Sequence, residues 1–256
     1  MTRRRFYAPP TAFTAPEGAT VGLGPEESRH LRDVLRLGIG DEAFVFDGEG
    51  REYRCIVVEH ARSAGTTVTL QVTERVAPLR PESPLHLTLA VALLKSEKFD
   101  LVVQKATELG VSSIVPVVTK RADVRLRDRQ ETERRRARWQ RVALEAAKQS
   151  GRARIPEVNP PCRFTSLIEK PEGEAKRLLF AERSGRGLIE TTKEWPARPA
   201  RLTALTGPEG GWEDEEITEA GEKGWTIITL GGRTLRAETA AIIAAGLLQH
   251  LYGDLV

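Results

Sequence analysis

LTALTGPEGGWEDEEI, residues 202–217, and TIITLGGRTLRAETAAIIAAGLLQ, residues 226–249, repeat one pattern. Each opens with an apolar, β-type run, Leu202 to Leu205 and then Ile227 to Leu230. Each continues into a loop too rich in glycine to be helical and closes with a helix-patterned segment. Strand, loop and helix in that order are the unit of a mostly parallel sheet covered on both faces. Glycines at the carboxyl ends of buried strands let the backbone approach a ligand closely, with its N–H and C=O groups free to bond it. Gly207, Gly210, Gly211, Gly231 and Gly232 have two readings, as plain turn glycines or as the walls of one pocket. Two such loops side by side point to the pocket, with a small polar cofactor as its natural occupant. Neither G-x-x-x-x-G-K-[ST] nor a strand-following G-x-G-x-x-G occurs, so the common nucleotide signatures are excluded.

Working outward, the same alternation extends back to residue 86. Residues 86–94, 111–118 and 177–182 read as further strands, and 97–109, stopped by Gly110, and 130–150 read as helices. The last helix, Glu238 to Tyr252, is apolar around much of its circumference through Ile242, Ile243, Ala245, Leu247, Leu248 and Leu251. It must be covered broadly, by the core or by a second subunit. Before residue 86 the pattern differs. Residues 24–38 read as a helix, with Pro25 at its start and Gly38 at its end. Strands are expected at 42–47, 52–59 and 66–76, with Asp47-Gly48-Glu49-Gly50 as a hairpin turn, the spacing of a small barrel. Pro78, Pro81 and Pro84 mark a linker. The expected domains are therefore 1–76, a linker at 77–85, and 86–256.

The chain of 256 residues carries a net charge of only +3, unevenly spread. Residues 95–154 hold 16 basic against 8 acidic side chains, densest where Arg125, Arg127, Arg129, Arg134, Arg135, Arg136, Arg138 and Arg141 follow one another. That density fits a polyanionic partner or a solvated helix face with Glu131 and Glu133 as intrahelical partners. Cys55 and Cys162 are the only cysteines, and four histidines are scattered, so neither a disulfide framework nor a metal site is expected. The N-terminus MTRRRFYAPP is basic without an apolar stretch, and no run of about 18 apolar residues follows. A cytoplasmic protein with no membrane association is expected.

The ordered set Lys95-x-Glu97-Lys98, Gln104-Lys105-Ala106-Thr107-Glu108-Leu109-Gly110-Val111, Gly207-Pro208-Glu209-Gly210-Gly211 and Leu230-Gly231-x-Arg233-x-Leu235-Arg236-x-Glu238-Thr239-Ala240 resembles the RsmE-type 16S rRNA uridine N3-methyltransferases of the SPOUT class. Arg5-Phe6-Tyr7, His30-x-x-x-Val34-Leu35-Arg36 and Asp47-Gly48 resemble the small PUA-like barrel that precedes the catalytic domain in that family. The resemblance covers essentially the whole chain. It implies a PUA-like β-barrel RNA-binding domain followed by an α/β methyltransferase domain, with the C-terminal segment threaded into a trefoil knot and paired in a homodimer. It also implies S-adenosyl-L-methionine as cofactor and small-subunit ribosomal RNA, free or in the assembled subunit, as partner.

By position, the resemblance gives cofactor contacts to Ala181, Thr206, Gly207, Pro208, Glu209, Gly210, Gly211, Leu230, Gly231, Leu235 and Arg236, with Phe180 beside Ala181. Glu209 is either a pocket carboxylate or an anion at the start of the following helix. Uridine N3 carries a proton and is a poor nucleophile, so a fixed cation near the uracil oxygens would stabilise the developing negative charge. Arg236 is the first candidate for that cation. Glu238 either orients Arg236, takes the proton, or simply begins the last helix. Ala237 stands where the family usually has threonine and is given no role. For RNA, the expected contacts are Arg4, Arg5, Arg32, Arg36, Lys95, Lys98, Arg152 and Arg154, with Arg3 to Arg5, Phe6 and Tyr7 as a basic arm whose aromatics stack on bases. A ribose 2′-O-methyltransferase of the same class and a non-catalytic rRNA-binding assembly factor are the alternatives.

Overall fold

The computed structural model describes residues 3–14, 19–60, 67–122, 128–169, 173, 175–195 and 197–255. Thr66, the expected start of the third strand, and Arg125 and Arg127 of the arginine run lie outside the described residues. The chain divides into two compact units, one formed by Met1–Glu82 with Ala147–Ile155 and the other by Ser83–Ala146 with Pro156–Val256.

The first unit is a five-stranded sheet of β1 (Arg5–Tyr7), β2 (Thr20–Gly22), β3 (Glu42–Phe46), β4 (Glu52–His60) and β5 (Val68–Val76), in the order β1-β3-β4-β5-β2. Only the β1–β3 pair is parallel. Alternate residues of all five strands, among them Phe6, Val21, Ala43, Val45, Cys55, Val57, Val68 and Leu70, meet in one buried cluster. A flat sheet cannot gather its two edge strands into one core, so the sheet is curled; register shifts in β4 at Arg54/Cys55 and Val57/Glu59 provide the bend.

Two expectations for this unit are corrected. The helix expected at 24–38 is interrupted: α1 covers Pro25–Arg29, and His30–Val34 winds more widely, Leu35 N–H donating to His30 O at 3.0 Å. Arg36 then turns to a φ of 53°, which ends any helix. Of the apolar residues Leu31, Val34 and Leu35 only Leu31 is buried, and Val34 and Leu35 are exposed. The basic arm is not an arm either. Arg5-Phe6-Tyr7 is β1, Phe6 is fully buried, and the Tyr7 ring packs on Phe46 at 5.5 Å. Period-two alternation over three residues is too short to be read as a strand in the sequence.

Ala147–Ile155 joins this unit through specific bonds. Gly50 N–H donates to Ala153 O at 3.1 Å and Ile155 N–H to Gly48 O at 3.0 Å. Arg152, 5% exposed, donates to Glu82 at 2.6 Å. Lys148 Nζ donates to Glu27 at 2.6 Å.

The second unit is a parallel sheet of β6 (His86–Ala92), β7 (Ser113–Val118), β8 (Glu157–Val158), β9 (Cys162–Arg163), β10 (Lys176–Phe180), β11 (Arg201–Thr206) and β12 (Thr226–Ile228). Its order is β12-β10-β11-β6-β7-β8, with β9 also paired to β7. Around it lie α2 (Ser96–Glu108), α3 (Arg129–Ser150, whose last turn belongs to the first unit), α4 (Phe164–Glu169), α5 (Leu188–Lys193), α6 (Asp214–Glu222) and α7 (Ala237–Tyr252). Leu87, Leu89, Ala90, Val91 and Ala92 of β6 are all fully buried, as a central strand covered on both faces requires. Phe99 of α2 meets Trp139 of α3 at 4.3 Å, an aromatic contact that seats the long helix. No helix among the described residues is long and apolar enough to cross a membrane.

The arginine run on α3 is largely committed locally. Arg135 pairs with Glu131, Arg136 with Glu133 and the Val158 carbonyl, and Arg138 with Asp100. Arg134 and Arg141 remain exposed.

Candidate functional site

The order of the sheet brings the ends of β12, β10 and β11 together, with β10 between the two strands that carry the glycine loops. Their carboxyl ends open into a cavity of about 640 Å³, within the usual range for small-molecule sites. Its walls are residues 207–212 after β11, 229–237 after β12, Phe180, Ala181 and Glu182 at the end of β10, Ala240 of α7 and Lys98 of α2.

The first loop is shaped by packing beneath it. Trp212 is 1% exposed and its indole N–H donates to the Phe180 carbonyl at 2.9 Å, which ties the loop to the end of β10. Gly207 lies directly on that indole: a Cβ there would stand 2.7 Å from Trp212 Nε1. Gly211 has a φ of 71° and closes a turn by donating its N–H to Pro208 O at 3.0 Å. Two arginines hold the loop from neighbouring strand ends. Arg121, beyond β7, donates to both carboxylate oxygens of Glu213 at 2.7 and 2.9 Å and to Gly210 O at 3.1 Å. Arg183, beyond β10, donates to Trp212 O at 2.8 Å and Asp214 at 2.6 Å. The Arg121 hydrogen bonds, the largest influence, hold the Glu213 carboxyl below its ordinary value. Glu213 and Glu216 form a reciprocal capping box that starts α6. The start of α6 is therefore occupied by Glu213, while Glu209 faces the cavity.

The second loop turns through Gly231 and Gly232, with φ of 48° and 82°, and ends on Arg236, the N-cap of α7. Arg236 is exposed on the cavity wall and makes no ion pair with the described residues. Glu238, in the first turn of α7, is 9% exposed and is not among the lining residues, its Oε2 3.7 Å from Lys98 Nζ. No hydrogen bond joins it to Arg236 among the described residues. Lys98 Nζ also donates to Glu209 Oε1 at 3.3 Å.

Of the residues expected at a cofactor, Ala181, Gly207, Pro208, Glu209, Gly210, Gly211, Leu230, Gly231, Leu235 and Arg236 line this one cavity. Thr206 does not. It is fully buried just beneath, its hydroxyl without a hydrogen-bond partner among the described residues. The set expected at RNA disperses. Lys98 belongs to the cavity, because α2 follows β6 and β6 neighbours β11. Arg5, with a side chain 6% exposed, is spent on Glu52 and the Arg152 carbonyl, and Arg152 on Glu82; neither side chain is presented to a partner. Arg4, Arg32, Arg36 and Arg154 in the first unit and Lys95 in the second are exposed. Trp212, Glu182 and Arg233 line the cavity unanticipated. Trp212 carried a signal, since an indole amid glycines and acidic residues has to pack under something.

Comparison with known proteins bears on the whole chain. A family model described as an RNA methyltransferase domain matches residues 81–249, and one described as an RNA methyltransferase PUA domain matches residues 23–63. The ribosomal RNA small subunit methyltransferase E of Synechocystis sp. is 36% identical, over 91% of this chain and 74% of its own. Its counterpart from Mesomycoplasma hyopneumoniae is also 36% identical, over 83% of this chain and 87% of its own. Among solved structures, the ribosomal RNA small subunit methyltransferase E of Neisseria gonorrhoeae bound to S-adenosyl methionine superposes with a TM-score of 0.86 at 30% identity, covering 100% of both chains. A methyltransferase of Legionella pneumophila in complex with the same cofactor gives 0.85 at 30% identity, again over 100% of both chains.

Proposed function

Since the chain belongs to the ribosomal RNA small subunit methyltransferase E family, we propose that it transfers a methyl group from S-adenosyl-L-methionine to N3 of a uridine in 16S ribosomal RNA. The observation that carries this reading is the convergence of both glycine loops and the end of β10 on one cavity. The residues there fit the cofactor. The glycine loops let main-chain N–H and C=O groups approach it closely, and one Glu209 oxygen on the wall has no hydrogen-bond partner among the described residues. Gly207, Gly210, Gly211, Leu230, Gly231 and Leu235 would hold it, with Ala181 and Pro208 completing the walls.

When bound, the cofactor supplies an electrophilic methyl group on a sulfonium. The rest falls to the chain's own residues. Arg236 stands at the cavity wall with its guanidinium in no ion pair with the described residues, and we assign it the role of stabilising the negative charge that develops on the uracil oxygens. Glu238 is not among the lining residues and acts as a positioning residue, fixing Lys98 and the first turn of α7. The two loops would hold the flipped base beside the cofactor. Arg4, Arg32, Arg36 and Arg154 of the first unit and Lys95 of the second are the proposed phosphate contacts.

The homodimer and the knot are part of this proposal. Ile243 and Leu247 of α7 are 43% and 36% exposed, one turn apart on the helix; a second copy would cover them. Residues after β10 bond to the end of β12 on two sides, Ala181 N–H to Ile228 O at 2.8 Å and Thr229 N–H to Arg186 O at 3.0 Å, a wrapping compatible with a threaded C-terminal segment. A cytoplasmic location follows from the ribosomal substrate.

Transfer of labelled methyl to small subunits lacking the modification, followed by mass spectrometry of the nucleosides, tests the proposal. 3-Methyluridine is the expected product. A 2′-O-methyl nucleoside would overturn the N3 assignment, and RNA binding without transfer would favour an assembly factor. Arg236→Ala is expected to lower kcat by about 10²–10³ while cofactor affinity holds.

A further inference from the structure

The two glycine loops leave strands that do not pair with each other, because β10 lies between β11 and β12. Their relative position is therefore set by something other than a shared ladder. The first loop is tied to the ends of β10 and β7 by Trp212, Arg183 and Arg121. Residues 231–236 of the second loop are exposed, and no hydrogen bond joins them to the first loop among the described residues. Lys98 reaches both sides. It stands in the first turn of α2, its Nζ 3.3 Å from Glu209 Oε1 in the first loop and 3.7 Å from Glu238 Oε2 in the first turn of α7. A cation in the first turn of a helix faces the positive end of the helix dipole, an unfavourable place that the two carboxylates offset. Glu238, 9% exposed, needs a counter-charge at that burial. Two residues before it, Arg236 is the N-cap of α7, so whatever fixes this first turn also fixes the backbone from which Arg236 extends.

We propose that Lys98 is a positioning residue that registers the first glycine loop with Arg236. The proposal rests on the assignment of Arg236 to the charge developing on the uracil. One ammonium shared by Glu209 and Glu238 holds the first loop and the start of α7 at a fixed separation. The cofactor wall and the Arg236 guanidinium then meet the base in one preset geometry, with little reorganisation left for the reaction. The role acts through the two carboxylates and requires no contact between Lys98 and the cofactor or the RNA.

The test is kcat for methyl transfer to small subunits lacking the modification, at saturating cofactor and RNA, for full-length Lys98→Met, Arg236→Ala and the double variant. Lys98→Met alone is expected to lower kcat by about ten- to a hundredfold, the scale of a misplacement of about 1 Å. Lys98→Arg keeps the charge and is expected to recover most of that loss. In the Arg236→Ala background, Lys98→Met is expected to cost less than about threefold more, because residues that act as a unit do not add. Glu238→Gln removes the same tie from its other end and is expected to repeat the pattern in both backgrounds. Unchanged kcat in Lys98→Met, additive losses in the double variant, or an effect confined to the KM for RNA would each overturn the proposal. Wild-type kcat in Arg236→Ala would instead refute the Arg236 assignment on which it rests.

Discussion

Gly207 shows how much one hydrogen atom in place of a methyl group decides. The loop passes so close over Trp212 that a Cβ would lie 2.7 Å from its indole nitrogen, which is itself bonded to Phe180 O. Gly207→Ala must push the loop outward or break that hydrogen bond. It is predicted to weaken S-adenosylmethionine binding at least about tenfold and to cost about 1–3 kcal/mol of stability. Calorimetric titration and denaturant unfolding measure the two effects; unchanged affinity would mean the loop is not part of the binding wall. The glycine itself was legible in the sequence as a turn or a ligand approach. Its real neighbour was not, because Trp212 folds back under the loop and five residues of separation do not specify a contact.

At the scale of elements, the first loop is gripped by ion pairs that carry a pH signature. Arg121 depresses the Glu213 carboxyl below its ordinary value of 4.5. A depressed folded-state value means that the pair's contribution is fully present above the ordinary value and is lost as pH falls through the folded one. Cofactor affinity is therefore predicted to be insensitive to this pair near neutrality and to fall in wild type below pH 4.5, whereas Glu213→Gln removes that part of the acid dependence. Titrations from pH 7 to 4 on both proteins check it. The other element with a testable consequence is α7. Ile243→Asp places a charge on its exposed apolar stripe and is predicted to convert a dimer to monomer by light scattering, with the fold intact by circular dichroism. A monomeric wild type would remove the basis for that assignment. The apolar character of α7 was evident from residues 242–251, but which of them face outward was not. Ala244, Ala245 and Leu248 are fully buried and Ile243 and Leu247 are not, a division set by what packs against the helix.

At the scale of the whole molecule, the chain does not partition at a single point. Residues 147–155 group with the N-terminal sheet although more than sixty residues of the other unit precede them. Arg152 is the polar anchor of that return, with a side chain 6% exposed against Glu82 at 26%. Arg152→Ala leaves Glu82 without its guanidinium partner and is predicted to destabilise the first unit by about 1–3 kcal/mol, less than a fully buried pair because Glu82 is partly solvated and keeps the Arg154 N–H. Denaturant unfolding monitored in parallel with calorimetric cofactor binding checks both sides: the cavity lies wholly in the second unit, so the cofactor affinity is expected to hold. Loss of binding together with stability would show that the two units unfold as one.

Resemblance to the family named eleven expected cofactor positions, ten of which line the cavity; what the sequence determined by itself was local: apolar runs that make strands, glycine loops at their ends and amphipathic helices after them. These are set by neighbours in the chain, through backbone geometry and periodicity. Only the tertiary structure decided the strand order that sets β10 between the two loops, the burial that turned Arg5 and Arg152 into internal struts, and the placing of Lys98 between Glu209 and Glu238. Those outcomes depend on which strand pairs with which and on how burial distributes charge, and both are fixed only when distant segments compete for the same core.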